Sequence, residues 1–289
     1  MILLLGNGIL GSEVVRCFQL NNVKFYQANR NSIDVTSPYF DLRNQIDALQ
    51  YQVHDRFTHV INAAGFTKVD AAEKNKDAAL AINSYGANKL AQVCNYFKST
   101  LVHISTDFVF DGTQSPTNPY IEEDQTNPVN FYGYTKFLAE QMIKESGCKY
   151  LIIRSGKLYN QEKGFIFSIL NKMKNEKRIY GVRNQTFTPT NAFNLAFQIL
   201  DLIRYDVSGI YHITNSGYTT ALNLVEFMKK VLDSSIQVDP INLYEQFSEA
   251  RRPEMTVLSL RKITSLGLFN MPDWAGSLEY TLKSIRGVG

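Results

Sequence analysis

The stretch Leu3–Val15, "LLLGNGILGSEVV", runs from an apolar segment through three glycines in six residues into a helix-like pattern. The order strand, Gly6-Asn7-Gly8-Ile9-Leu10-Gly11, helix is that of the first turn of a dinucleotide-binding unit. There the glycines admit a pyrophosphate close to the backbone, and the helix N-terminus offers it unbonded N–H groups. The same residues also suit a tight strand-to-helix turn with no ligand, and the glycines alone do not choose between the two.

Outward from this turn, short β-like runs alternate with helix-period segments, the pattern of a doubly wound parallel sheet. Strands are expected at Ile2 to Leu5, Val23 to Ala28, His59 to Asn62, Leu101 to Ser105 and Tyr150 to Arg154. Helices are expected at Leu10 to Leu20, Tyr39 to Tyr51, Ala78 to Phe97 and Phe131 to Glu145. Beyond Arg154 the alternation loosens into helices near Phe165 to Lys174, Asn191 to Tyr205 and Leu222 to Leu232, a strand at Gly209 to Ile213 and a final helix within "MPDWAGSLEYTL". The expected organisation is an α/β fold. Residues 1–154 form a Rossmann-type dinucleotide-binding domain to which 186–213 return, and 155–185 with 214–289 form a smaller C-terminal α/β substrate lobe.

Composition sets the bounds. The 289 residues carry 44% hydrophobic and 20% charged side chains and a formal net charge of +3, with no basic block, so nucleic acid is not an expected partner. Cys17, Cys94 and Cys148 lack the paired spacing of a disulfide framework or a zinc site, which fits a reducing cytoplasm and no metal. The apolar run before Gly6 is too short for a signal peptide, and no run approaches a membrane span.

Three further segments carry candidate chemistry. At the end of the second strand, "QANRNSID" places Arg30 where an acid would take a ribose 2′-hydroxyl, which favours NADPH over NADH unless Arg30 is a plain surface charge. "LVHISTDFVFDG" brings Ser105 and Thr106 to the carboxyl end of a strand, in the crevice where such sheets bind ligands; a capped strand end is the alternative. In "NPVNFYGYTKFLAEQ", Tyr132 and Lys136 are four residues apart and so share one helix face, while Tyr134 faces elsewhere. An ammonium beside a phenol lowers its pKa toward working pH, although an amphipathic helix with a core aromatic and a solvated lysine has the same spacing.

With these segments in place the sequence resembles the extended short-chain dehydrogenase/reductases, and within them the dTDP-4-dehydrorhamnose reductase family. "VINAAGFTKVDAAEKN", "HISTDFVFDG", "NPVNFYGYTKFLAE", "ARRPEM" and "PDWAGSLEYTL" carry the likeness. It implies NAD(P)H-dependent reduction of the C4 keto group of a nucleotide-diphosphate 4-keto-6-deoxysugar, such as dTDP-4-dehydro-L-rhamnose to dTDP-L-rhamnose. Such a protein is a cytoplasmic oxidoreductase of nucleotide-sugar and polysaccharide biosynthesis, with no membrane partner and a homodimer left open. By the same resemblance, Tyr132 is the general acid, Lys136 binds the nicotinamide ribose and Thr106 hydrogen-bonds the substrate oxygen. Gly6, Gly8, Ile9, Leu10 and Gly11 cradle the pyrophosphate, and Ala63, Ala64, Gly65 and Thr67 line the cofactor. Asp41 and Leu42 meet the adenine, or else serve as a helix-capping acid with a core leucine. Lys157, Arg251 and Arg252 are expected near the diphosphate, with a plain surface loop as the alternative for Arg252.

Three departures stand out. The glycine loop is one residue shorter than the family's usual pattern. Lys157 stands where the reductases usually carry tryptophan, and Asn184 to Thr190, "NQTFTPT", departs from Asp-Gln-x-Gly-x-Pro-Thr. A catalytically silent NADP-binding subunit, like the regulatory β subunit of methionine adenosyltransferase, shares much of "STDFVFDG" and is the competing reading; a related reductase, epimerase or dehydratase of other sugar specificity is a third.

Overall fold

A computed structural model describes residues 1–28, 32–246 and 248–286. Its centre is a six-stranded parallel sheet. The first five strands in chain order are β1 (Ile2–Leu5), β2 (Phe25–Ala28), β3 (His59–Asn62), β4 (Thr100–Thr106) and β5 (Tyr150–Ser155). The sixth, Gly209–His212, pairs with β5, so that from that edge the order is sixth strand, β5, β4, β3, β1, β2. Leu3, Leu4, Ile61, Leu101, Val102, Leu151 and Ile152 are fully buried or nearly so, because helices cover both faces. On one face α1 (Ile9–Leu20) packs against helix Ala192–Arg204. On the other, α2 (Tyr39–Gln52), helix Gly86–Phe97 and helix Phe131–Glu145 supply the second layer. The three cysteines are free and buried.

The expected single helix from Ala78 to Phe97 is interrupted: Ala81–Tyr85 forms a π turn between Lys76–Leu80 and Gly86–Phe97. Within this turn the Asn83 side chain accepts from Phe66 N–H (2.7 Å) and donates to Thr135 Oγ1 (2.9 Å). A π turn re-aims a side chain without ending the helix, and here it holds the loop after β3 against the helix carrying Tyr132 and Lys136.

After Ser155 the chain leaves the sheet. Lys157–Tyr159 pairs with Pro189–Asn191, Thr186–Phe187 with Thr219–Thr220, and Arg178–Val182 with Gln237–Ile241. Around them Tyr159, Ile166, Leu170, Leu224, Met228, Leu278 and Leu282 form a separate apolar cluster. Of residues 186–213, the part that joins the central sheet and its helix layer is Ala192–His212, while 186–191 pair with the smaller strands. Among the described residues no helix is long and apolar enough to cross a membrane.

Candidate active site

The carboxyl ends of β1, β3, β4 and β5 open onto a cavity of about 1090 Å³. Gly6, Gly8, Ile9 and Leu10 line it on one side, Ala63, Ala64, Gly65 and Thr67 next to them, then Ser105, Thr106, Tyr132 and Lys136, and finally Lys157 and Arg252. Asp107, Ser155, Phe165 and Gln185, which the sequence reading did not assign, belong to the same wall.

The glycine loop is built for close approach. Gly6 has φ +109°, and a Cβ there would stand 2.7 Å from the Ala63 backbone; a Cβ on Gly11 would stand 2.3 Å from the Gly6 carbonyl oxygen. Gly11 therefore locks the helix to the turn and does not itself line the cavity. Gly8, by contrast, faces open space. Helix α1 has no side-chain cap and no acid in its first turn, so its leading N–H groups are left for an anion. Together with the volume, this cradle fits a dinucleotide: Gly6, Gly8, Ile9 and Leu10 would hold the pyrophosphate. Ser155 Oγ, buried on the cavity wall without a partner, adds an unused polar group.

Tyr132 is set by its helix start. Asn130 accepts from Gly133 N–H (2.8 Å), and Gly133 sits so close to Phe108 that a Cβ would lie 2.2 Å from its carbonyl oxygen. The helix is thereby pressed onto the loop after β4, which brings Tyr132 beside Thr106 and Asp107. Burial pushes the Tyr132 phenol up to about 12; the Thr106 hydroxyl opposes this and the Asp107 carboxylate adds to it. Burial lifts Asp107 to about 6 against hydrogen bonds from Thr256 and Thr106 and the charge of Lys157.

Lys136 departs from expectation in one respect: burial, Thr106 and Asp107 move the Tyr132 phenol and the Lys136 ammonium does not. Its Nζ lies 3.2 Å from His103 Nε2, and burial brings it down to about 8 against the pull of Glu140. Ser105 departs too, because its hydroxyl is donated to the buried Glu140, which Arg154 grips through Nη2 (2.7 Å) and Nε (3.1 Å). Thr106 lines the cavity, with its hydroxyl donating to Asp107 Oδ1 (3.1 Å) and accepting from Phe108 N–H (3.2 Å).

Lys157 rises from a three-residue strand with its ammonium 5.1 Å from the Phe165 ring and 4.9 Å from that of Phe187. Lys157 also lines the cavity. Burial of the ammonium lowers it to about 8, with Asp107 opposing and Arg252 reinforcing. Arg252 holds Asp70 at 2.8 Å and reaches the cavity from the loop. Arg251 is exposed and outside the cavity; its carbonyl accepts from Asn130 Nδ2.

Asp41 and Leu42 do not reach the cavity. Leu42 is wholly buried in the apolar layer behind β1 and β3, and Asp41 is an exposed acid in the first turn of α2, where it complements the helix dipole. Ile33, Asp34, Val35 and Thr36 line the cavity instead. Arg30 lies outside the described residues.

Fold and site define the class: a Rossmann-type, extended short-chain dehydrogenase/reductase, with a glycine-cradled dinucleotide site and a Tyr-x-x-x-Lys helix. The chain belongs to the RmlD substrate binding domain family, whose family model matches residues 1–286. It is 31% identical over 277 residues to a dTDP-4-keto-6-deoxy-D-glucose reductase of Streptomyces niveus, covering 94% of this chain and 92% of that protein. A dTDP-4-dehydrorhamnose reductase of Clostridium acetobutylicum superposes with a TM-score of 0.91 at 28% identity, over 99% of each chain. The dTDP-4-dehydrorhamnose reductase of Bacillus anthracis, solved in complex with NADP, superposes with a TM-score of 0.88 at 27% identity, over 100% of this chain and 99% of that one.

Proposed function

We propose that the chain is an NADPH-dependent oxidoreductase that reduces the C4 keto group of a nucleotide-diphosphate 4-keto-6-deoxysugar, with dTDP-4-dehydro-L-rhamnose as the leading substrate. NADH is the alternative donor. The observation that carries this reading is the convergence of Thr106, Tyr132 and Lys136 on the cavity that the uncapped glycine loop also lines. The relatives' names and the NADP complex of the Bacillus anthracis reductase support it.

In this reading, bound NADPH supplies hydride to C4. Tyr132 gives its phenolic proton to the oxygen that becomes an alkoxide; raised by burial, the phenol is protonated throughout the working range and is still far more acidic than the alcohol it creates. Thr106, with its hydroxyl beside the phenol, holds the same oxygen. Lys136 presents an ammonium that favours charge building up on that oxygen and binds the nicotinamide ribose. Gly6, Gly8, Ile9 and Leu10 hold the pyrophosphate, and Ala63, Ala64, Gly65 and Thr67 the face beside it. Lys157 and Arg252 offer cations to the substrate's diphosphate. The walls that bind the sugar nucleotide come from 155–185 and 214–289. The reading places the enzyme in the cytoplasm, as a monomer or homodimer.

The test is a panel of nucleotide 4-keto sugars assayed for NADPH and NADH oxidation, with Tyr132→Phe alongside. Turnover is expected with at least one sugar, and the variant is expected to lose about 10²–10⁴-fold of it while binding NADPH normally. Unchanged turnover in Tyr132→Phe would sink the mechanism. Wild-type protein that binds NADP, reduces nothing and co-purifies with a synthetase would replace the enzyme by a regulatory subunit.

A further inference from the structure

A line of buried polar groups beneath Lys136 is left unused by this mechanism. His103, in β4, is completely buried, and its cross-strand neighbour Asn62 ends β3. The ring's Nε2 is 3.2 Å from Lys136 Nζ and its Nδ1 is 3.2 Å from Asn62 Nδ2, while Asn62 Oδ1 is buried with no partner. An ammonium can only donate, so Nε2 is an acceptor and the neutral ring carries its proton on Nδ1. That N–H cannot face an amide NH2. Half a turn of the Asn62 carboxamide gives it Oδ1 instead and moves the amide NH2 to the place where Oδ1 stood. The line then reads Lys136 Nζ–H to His103 Nε2 and His103 Nδ1–H to Asn62 Oδ1.

We infer that His103 is a positioning residue for Lys136: a permanently neutral imidazole that takes one N–H of the ammonium and thereby fixes where the other two point. The inference rests on the role given to Lys136 above. Burial and the adjacent ammonium keep the imidazole well below its ordinary range, so it does not itself titrate with the reaction. The ionisable groups around Lys136 are Tyr132 and Glu140 on its own helix, His103 on β4 and Arg154 on β5, the last engaged by Glu140. Glu73, from the helix Val69–Lys74, is taken up by the Phe131 N–H at the helix start. His103 is thus the group that sets the direction of the ammonium, whereas Glu140 contributes charge.

Two measurements test this on the full chain. Nitrogen-15 NMR of the histidine rings, without substrate and with His103 assigned by comparison with His103→Gln, is expected to show a neutral Nδ1–H tautomer that does not titrate between about pH 5 and 8. An Nε2–H tautomer or an imidazolium would overturn the inference. In turnover assays, His103→Leu is expected to lower kcat about tenfold, the effect of losing one hydrogen bond to a charged group. It should also move the basic limb of the kcat profile to lower pH, because the ammonium loses an acceptor; His103→Gln, whose amide oxygen reaches the same place, restores both. A folded His103→Leu with wild-type kcat and pH limb overturns the inference, and if that variant does not fold the tautomer decides alone. Failure of the proposed reaction would appear differently, as wild-type protein without turnover and an intact Nδ1–H tautomer.

Discussion

Lys136 and Lys157 bring the same group to one cavity by different means. Burial lowers both ammonium groups to about 8. Lys136 stands on a helix of 15 residues, seated by the Asn130 cap, the Gly133 contact and the buried Glu140–Arg154 pair, and its near partner is a neutral imidazole. Lys157 stands on a strand of three residues, against two phenyl rings and under the charge of Asp107. The first wall is fixed from below by a polar network that reaches into the sheet. The second is defined by side chains at the surface of a small apolar cluster, and those can change without disturbing the sheet. In the proposed reaction, chemistry falls to the first wall and discrimination to the second.

The largest break in this contrast comes from Arg154→Met, which leaves the fully buried Glu140 carboxylate without its cation, with only the Ser105 hydroxyl still donating to it. The cost is expected to be about 3–5 kcal/mol of unfolding free energy, read by urea titration. A loss below about 1 kcal/mol would mean that the first wall is not held by this pair.

Lys157→Met is expected to leave unfolding free energy within about 0.5 kcal/mol. Its mark should be a KM for the nucleotide sugar raised about tenfold, with kcat within about twofold, as for the loss of one charged hydrogen bond. The pH dependence separates the walls further. Both amines lose their proton as pH rises through about 8, so activity that needs either ammonium falls there. Lys157→Arg keeps its charge, so the alkaline rise in KM should vanish while the alkaline fall in kcat stays. If both limbs move together, the two lysines do not act separately.

The smallest effect is expected at the rim. Arg252 and Asp70 meet at 2.8 Å, but the two side chains keep 19% and 48% of their surface exposed. Asp70→Asn should therefore change stability by less than about 1 kcal/mol, measured by thermal unfolding. A larger loss would make the loop from Ala250 to Pro253 a structural part of the cavity.

How far the sequence could be read follows the same division. The central sheet was legible because strands buried on both faces are short apolar runs, such as Leu3 to Leu5 and Leu151 to Ile153, and the helices between them keep a clean period. Lys157–Tyr159, Thr186–Phe187 and Pro189–Asn191 are two or three residues long and include a proline, so no periodicity announces them. The π turn sets Asn83 against Phe66 and Thr135 across the fold, which local pattern does not carry. At the site, helical spacing put Tyr132 and Lys136 on one face, but it fits an ordinary amphipathic helix equally well, and their roles were read from the family resemblance. The use of the Ser105 hydroxyl by Glu140 and the turn of Lys136 toward His103 are contacts between distant segments. A histidine inside an otherwise apolar strand was the visible hint of the last.

The path of the chain has a consequence for how such an enzyme can be altered. The backbone leaves the central sheet after Ser155, returns for Ala192–His212 and leaves again, and the small strands that it builds outside pair across that return. The second wall is therefore not a module that can be cut out at one junction. Transplanting the specificity of a relative means exchanging two separate segments together, and exchanging either alone would leave strands such as Thr219–Thr220 or Gln237–Ile241 facing a partner they did not evolve with.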